Sequence, residues 1–274
     1  MIRTIALITG VYHDEGGPAR LRRRLAAARE SGAELAVLPE LPLDPWIAAA
    51  PTPRDQDAEP PEGPRHRALA NVAAAAGVSL LGGAVVLDPE TGRRASTALL
   101  FGTDGGLLQR YRKVHIPNEE GFWEAAHYEP GRDPPEPIQV DGLTVGIQVC
   151  SDVQRLTGAQ ILAARGAEVI LVPRATPPES WERWKLTLRA VAVAAAAYLV
   201  SVNRPPEPDS PVGGPSVAIG PRGEVLVETD EETALAQIDP EAVRAARADY
   251  PGYLSFAPEV MAMGWAGLSK PGRR

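Results

Sequence analysis

Short apolar runs of strand length alternate with Ala- and Leu-rich helical runs along almost the whole chain, and this alternation restricts the fold more than any other feature. Residues 2–8 read as a strand, 18–31 as an Arg/Ala/Leu helix, and 34–39 as a second strand ending in Pro39-Glu40. A Pro- and Asp-rich stretch, residues 51–64, reads as an insertion loop, because the alternation continues across it into an Ala-rich helix ending at Ala76. Strands are then predicted over 78–87, 95–101 and 107–113. Residues 117–137 carry too many turn residues and aromatics to be regular and read as one long functional loop. Beyond it the pattern predicts a strand ending at Cys150, a helix over 154–165, a strand over 167–172, a helix over 179–197 and a strand over 198–203. SVAIGPRGEVLVE and TALAQID suggest a hairpin and its neighbour, with a short helix and an irregular tail after Asp239. Such an order implies an α/β fold in which helices cover sheets, and in such folds reactive groups gather outside the carboxyl ends of the strands.

Composition narrows the class. A chain of 274 residues that is 44% hydrophobic can bury a full core and is about as long as one large α/β domain, so residues 1–274 are expected to form a single domain. The first ten residues are too short an apolar stretch for an export signal and suit a first strand. No apolar run approaches the ~18 residues that would suggest a membrane span. A net charge of −7 with both signs interspersed argues against a nucleic-acid surface. With one cysteine in the chain, an internal disulfide is impossible and a reducing cytoplasm is the expected compartment.

That cysteine closes the segment GLTVGIQVCSD, Gly142 to Asp152. Two other reactive groups stand at expected strand ends: Glu40 after AVLP, and Lys113 after LLQRYR. Only three of the 28 cationic residues are lysines, Lys113, Lys185 and Lys270. In a chain that writes positive charge as Arg, Lys113 reads as a compact point charge for a tight site, while Lys185 and Lys270 read as surface residues. A base, a cation and a thiol on one rim suit covalent catalysis. The carboxylate takes the thiol proton, and the ammonium favours the thiolate and then the oxyanion of the tetrahedral intermediate. The backbone N–H of Ser151 is placed to be a second oxyanion donor, worth roughly 3 kcal/mol of barrier in comparable sites. Asp152 is expected to hold the turn in shape. Singly, each residue has a plainer reading: a small buried hydrophobe, a solvated strand end, a surface charge.

YRKVHIPNEEGFWEAAHYEPG (Tyr111 to Gly131), AELAVLPEL (Ala33 to Leu41) and GLTVGIQVCSD together resemble the lysine, glutamate and cysteine motifs of the nitrilase superfamily, the carbon–nitrogen hydrolases. RGAEVILVP, YLVSVNR and GGPSVAIGPRGEVLVE extend the resemblance over nearly the whole chain. It implies a four-layer α-β-β-α sandwich, assembled as a homodimer or larger homo-oligomer, with no metal or organic cofactor. It implies Cys150 as nucleophile, Glu40 as general base and acid, Lys113 as stabiliser of the tetrahedral intermediate, and Glu124 as a second glutamate that orients substrate and lysine. The reaction would be hydrolysis of a non-peptide C–N bond in a small molecule through a thioester. RKVHIP followed by GFWE and HYEPG is most similar to the branch acting on N-carbamoyl compounds, with ω-amidase or nitrilase activity on a carboxylate-bearing substrate, an acyl-transferring relative and a non-catalytic binding relative as alternatives. His115 and Trp123 are candidates to line the pocket, His115 also for a structural hydrogen bond. Arg174, if it points inward, would pair with a substrate carboxylate. Two segments depart from the family pattern: Val153 to Thr157 after the cysteine, and Ala194-Ala195 where relatives often have Glu-Asn.

Overall fold

The computed structural model describes residues 1–266. Its elements in chain order are β1 (Arg3–Ile8), α1 (Gly17–Glu30), β2 (Leu35–Val37), α2 (Pro64–Ala76), β3 (Ser79–Leu87), β4 (Arg94–Phe101), β5 (Leu107–Arg112), α3 (Glu124–His127), β6 (Ile138–Val140) and β7 (Leu143–Ile147). There follow α4 (Leu156–Ala164), β8 (Val169–Arg174), α5 (Trp181–Ala195), β9 (Tyr198–Asn203), β10 (Ser216–Ile219), β11 (Val225–Thr229), β12 (Thr233–Ile238), α6 (Pro240–Ala248) and α7 (Pro258–Ala266). Lys270 lies outside the described residues.

Two six-stranded sheets form, ordered β12-β1-β2-β3-β4-β5 and β11-β10-β9-β8-β7-β6. The period-2 alternation of the strands explains why each sheet has two buried faces. In β1, Ile5 and Leu7 enter the core between the sheets, while Ala6 and Ile8 face the α1/α2 side with Leu21, Leu25, Leu69 and Val72. In β2 and just beyond, Leu35 and Val37 likewise face inward, and Ala36 and Leu38 face the helices. On the second sheet, Val145, Ile147, Val169 and Leu171 join the core together with Leu162 of α4 and Leu188 and Val191 of α5. The layers are thus helices, sheet, sheet, helices, the expected four-layer α-β-β-α sandwich. Gly146 shows how closely α4 approaches β7: an added Cβ would stand 2.7 Å from Leu162.

Strand direction brings the reactive groups to one rim. β2 and β3 run parallel, β4 is antiparallel to β3, and β5 is antiparallel to β4, so β5 ends at the same edge as β2. In the second sheet β7, β8 and β9 are parallel. Two local expectations need correction, and one strand was not foreseen. The strand carrying the cysteine motif stops at Ile147, and Cys150–Gln154 form a 3-10 turn. The loop over 117–137 contains the single helical turn α3, Glu124–His127. Ile138–Val140, too short to show a period, is the edge strand β6, fixed by antiparallel pairing with β7.

Because Leu7 is fully buried between the sheets, Leu7→Ala should cost about 2–5 kcal/mol through lost transfer energy and a residual cavity. The urea midpoint should fall with the slope of the transition unchanged.

Candidate active site

Lys113, the first residue after β5, is fully buried, and its Nζ donates to Glu40 Oε1 at 2.9 Å and to Glu124 Oε2 at 2.5 Å. Glu40 reaches this point from the loop after β2, and Glu124 from the first position of α3. Each carboxylate is engaged through one oxygen. Tyr128 Oη donates to Glu124 Oε2, and Ser96 Oγ lies 3.5 Å from Glu40 Oε1. Glu40 Oε2 and Glu124 Oε1 are buried without a protein partner. Buried acceptors are rarely left so, and here a pair of them stands beside one ammonium.

Cys150 stands three residues past β7 with φ at +47°, a left-handed conformation that a non-glycine residue adopts only under strain. The strain is held by Asp152. Its Oδ1 accepts from the backbone N–H of Val114 at 3.1 Å and of His115 at 2.7 Å and meets His115 Nδ1 at 2.9 Å. Its Oδ2 accepts from Tyr111 Oη at 3.0 Å and from the Val149 N–H at 3.3 Å. One buried carboxylate therefore ties the turn of the cysteine to the chain around the lysine. Ser151 Oγ adds a bond to the His115 carbonyl, and among the described residues no acceptor takes the Ser151 N–H. The Cys150 Sγ lies 3.7 Å from the Ala175 carbonyl.

The charges set the resting protonation. Burial, followed by the Glu40 and Glu124 carboxylates, pushes the Cys150 thiol up despite the opposing pull of Lys113, so the sulfur rests as a thiol. Burial works against the Lys113 ammonium, but Glu124 and Glu40 more than offset it, and Lys113 remains firmly charged. Burial raises Glu124 to about 7 against the lowering effect of Lys113. A preformed thiolate is thus disfavoured.

The sulfur opens into a cavity of about 330 Å³ whose walls include Phe122, Glu124, Ser151, Gln154, Thr176, Arg183 and Trp184. A larger cavity of about 880 Å³ lies beyond the turn, against Tyr111, His115, Leu156 and Trp265, and touches neither Cys150 nor the glutamates. The expected site residues fall into two groups. Glu40, Lys113, Glu124 and Cys150 come together, with Ser151 on the wall. His115, Trp123 and Arg174 do not line the smaller cavity. The His115 ring is committed to Asp152, which is the structural bond allowed for it. Trp123 stands at the N-cap of α3, its carbonyl accepting the Ala126 N–H and its own N–H donating to the Ala48 carbonyl, and its neighbour Phe122 supplies the aromatic wall. Arg174 is fully buried and turns away, its Nε donating to Ser201 Oγ at 2.9 Å, Nη1 to Thr176 Oγ1 at 2.5 Å and Nη2 to the Pro215 carbonyl. The exposed guanidinium at the cavity is Arg183, on α5. Among the described residues no three His, Cys, Asp or Glu side chains cluster to hold a metal ion.

The sequence model of the carbon-nitrogen hydrolases matches residues 4–248. The chain belongs to this family. A hydrolase of Mycobacterium tuberculosis is 31% identical over 238 residues, covering 80% of this chain and 82% of the relative. Omega-amidase NIT2 of Homo sapiens is 30% identical over 223 residues, covering 77% and 78%. Among solved structures, an amidase from Nesterenkonia sp. superposes with a TM-score of 0.76 at 28% identity, covering 96% of each chain. Nit3 of Saccharomyces cerevisiae, from branch 10 of the nitrilase superfamily, gives 0.77 at 25% identity over 91% of this chain and 94% of its own. In a variant of the Nesterenkonia amidase, acrylamide has added to the active-site cysteine.

As a carbon-nitrogen hydrolase the chain has further supports that sequence reasoning left without a role. Arg204 is buried at the exit of β9, where Nη1 donates to the carbonyls of Glu40 at 2.8 Å and Leu41 at 2.7 Å, and Nη2 donates to that of Asp44 at 2.8 Å. Asn203 Oδ1 accepts from the Thr176 N–H at 3.0 Å. Both belong to YLVSVNR, so the motif was visible while its purpose, clamping two rim loops, was not.

Asp152→Asn should test the clamp on the cysteine turn. One acceptor oxygen and one amide donor cannot satisfy donors on both sides of the carboxylate, so the variant should lose roughly 2–4 kcal/mol of stability. In chemical denaturation the lost stability should be accompanied by much slower alkylation of Cys150 in whatever fraction remains folded.

Proposed function

We propose that this carbon-nitrogen hydrolase, as one catalytic domain over residues 1–274, hydrolyses a small primary amide that carries a carboxylate at its far end. The observation that carries the reading is the shared ammonium: Lys113 between two glutamates, each with a free buried oxygen, behind a thiol that opens into a small cavity.

Cys150 attacks the amide carbon while its proton passes to Glu40 Oε2, so S–H breaks as S–C forms and the carbonyl π pair moves to oxygen. Lys113 Nζ has three donors, two held by the glutamates, and the third meets the oxyanion together with the Ser151 N–H. Collapse of the intermediate expels the amine, which takes the proton from Glu40 and leaves as ammonia. Water then gives a proton to Glu40 as its oxygen attacks the thioester carbon. The C–S bond breaks, the proton returns to sulfur, and the carboxylic acid departs. Glu124 keeps Lys113 in place throughout.

The substrate class rests on the relatives and on the wall. The curated relatives named above include an omega-amidase rather than an enzyme of the carbamoyl-compound branch expected from the loop sequence. The wall carries Arg183, which takes the role first expected of Arg174. A guanidinium there favours an acidic tail over a neutral or cationic one. A cysteine that must stay a thiol fits a reducing cytoplasm, and no helix among the described residues is long and apolar enough to cross a membrane.

The test is ammonia release from monoamides of dicarboxylic acids, neutral amides, ureido acids, carbamoyl amines and nitriles. The acid monoamides should turn over fastest, with an acyl adduct on Cys150 by mass spectrometry. Arg183→Ala should raise KM about tenfold for the acid monoamides, the equivalent of about 1.4 kcal/mol, and leave neutral amides unaffected. Ammonia release that persists in Cys150→Ala would sink the mechanism.

Self-association is also proposed. Tyr250, Tyr253, Val260, Met261, Met263 and Trp265 are all more than half exposed along the C-terminal segment, a run of apolar surface that a lone subunit rarely carries. Analytical ultracentrifugation should show a dimer or larger assembly that weakens when the chain is cut after Asp249. A monomer at tens of micromolar would contradict this.

A further inference from the structure

The small cavity at Cys150 carries two charges that the protein itself leaves without an opposite partner. Arg183 on α5 is one, and Glu119 on the loop between β5 and α3 is the other. Both side chains are exposed, and among the described residues neither has a group of opposite charge within 4.0 Å. The other carboxylate in the wall, Glu124, is already taken by Lys113 and Tyr128.

The backbone holds both residues in place. Glu119 and Phe122 exchange N–H to carbonyl bonds at 3.3 and 2.9 Å, closing a turn whose Gly121 has φ at +76°. Trp46 pins that turn: its Nε1 donates to the Gly121 carbonyl at 2.9 Å, and its ring centre lies 5.8 Å from that of Phe122. Pro211 closes the turn in from another side, 2.7 Å from where a Cβ on Gly121 would stand. Arg183 belongs to the first turn of α5, where Thr187 Oγ1 lies 3.2 Å from both the Arg183 carbonyl and Gln154 Oε1. An acid and a base thus line one cavity of about 330 Å³ from two separate segments, each anchored and the two not joined.

A substrate with a lone carboxylate at its far end answers only half of this wall. Its anion pairs with Arg183 and meets Glu119 as a like charge. An ammonium beside that carboxylate removes the conflict, because both charges of the tail then find their opposites. We propose that the preferred substrate is the monoamide of a 2-amino dicarboxylic acid, with its amide at Cys150, its carboxylate on Arg183 and its ammonium on Glu119. The inference rests on the acid-monoamide reading above and adds Glu119 as the residue that separates zwitterionic tails from purely anionic ones, by repelling the second as well as attracting the first. The reaction is unchanged: the amide C–N bond breaks, water is added, ammonia leaves, and the amino dicarboxylic acid departs with its ammonium untouched.

The monoamide of glutaric acid, its 2-hydroxy derivative and its 2-amino derivative, each with the amide at the end remote from the substituent, test this. KM and kcat are read by ammonia release in the full-length wild type and in Glu119→Gln, both checked for a cooperative melt. The amino compound should have the lowest KM in the wild type, by about fivefold, a modest factor because the wall is partly wet. Glu119→Gln should raise that KM by about fivefold, to the level of the hydroxy compound, with kcat unchanged for all three. The hydroxy compound matches the amino compound in bulk and so separates charge from size. Equal KM values for the two in the wild type overturn the proposal, and so does a Glu119→Gln variant that moves all three KM values alike or none. Where the acid monoamides turn over and depend on Arg183 but show no preference for the amino group, this inference alone falls. If none of the three releases ammonia, the acid-monoamide reading fails and takes this inference with it.

Discussion

One ammonium divided between two carboxylates, all three buried, is the interaction on which the rest of the structure depends. Taking such ions out of water costs several kcal/mol each, and only close mutual contact offsets it. The contact joins the ends of distant parts of the chain: the loop after β2, the end of β5 and the turn α3. A single misplaced member would leave an unpaired charge in the interior. The two-sheet core therefore does more than bury apolar area, because it holds two strand ends and one helical turn in the arrangement that this ion set requires.

The rim is cross-tied by polar residues that carry no chemistry of their own. Asp152 binds the cysteine turn to the chain around Lys113, Arg204 binds the loop after Glu40, and Asn203 binds the loop after Arg174. Each satisfies several backbone groups that would otherwise be buried and unpaired, so each stabilises by preventing a loss rather than by adding a contact. The left-handed backbone at Cys150 survives because these ties over-determine it.

Sequence alone revealed most of the architecture and which residues gather at one rim, for a physical reason in each case. Strands buried on two faces and amphipathic helices leave periodic signatures, so β1, α1, β9 and the hairpin were legible within a few residues. Glu40, Lys113 and Cys150 were legible because each stands at the end of a strand-length run. Burial direction was not legible. Arg174 and Arg183 are nine residues apart and chemically identical, and only the packing of Trp181 and Trp184 decides which is sealed inside and which meets the cavity. Trp123 and Phe122 pose the same difficulty one residue apart. β6 was invisible because three residues show no period, and its existence depends on the partner strand.

Most of the cavity wall and most of the ion set come from separate stretches of chain, and Glu124 belongs to both. Phe122, Arg183 and Trp184 stand on a surface loop and the first turns of α5, whereas Glu40, Lys113 and Cys150 sit where strands end. Substitutions in the walls can therefore accumulate without disturbing the buried charges. Such a division permits lineages sharing this scaffold to diverge in diet while the interior ions stay frozen.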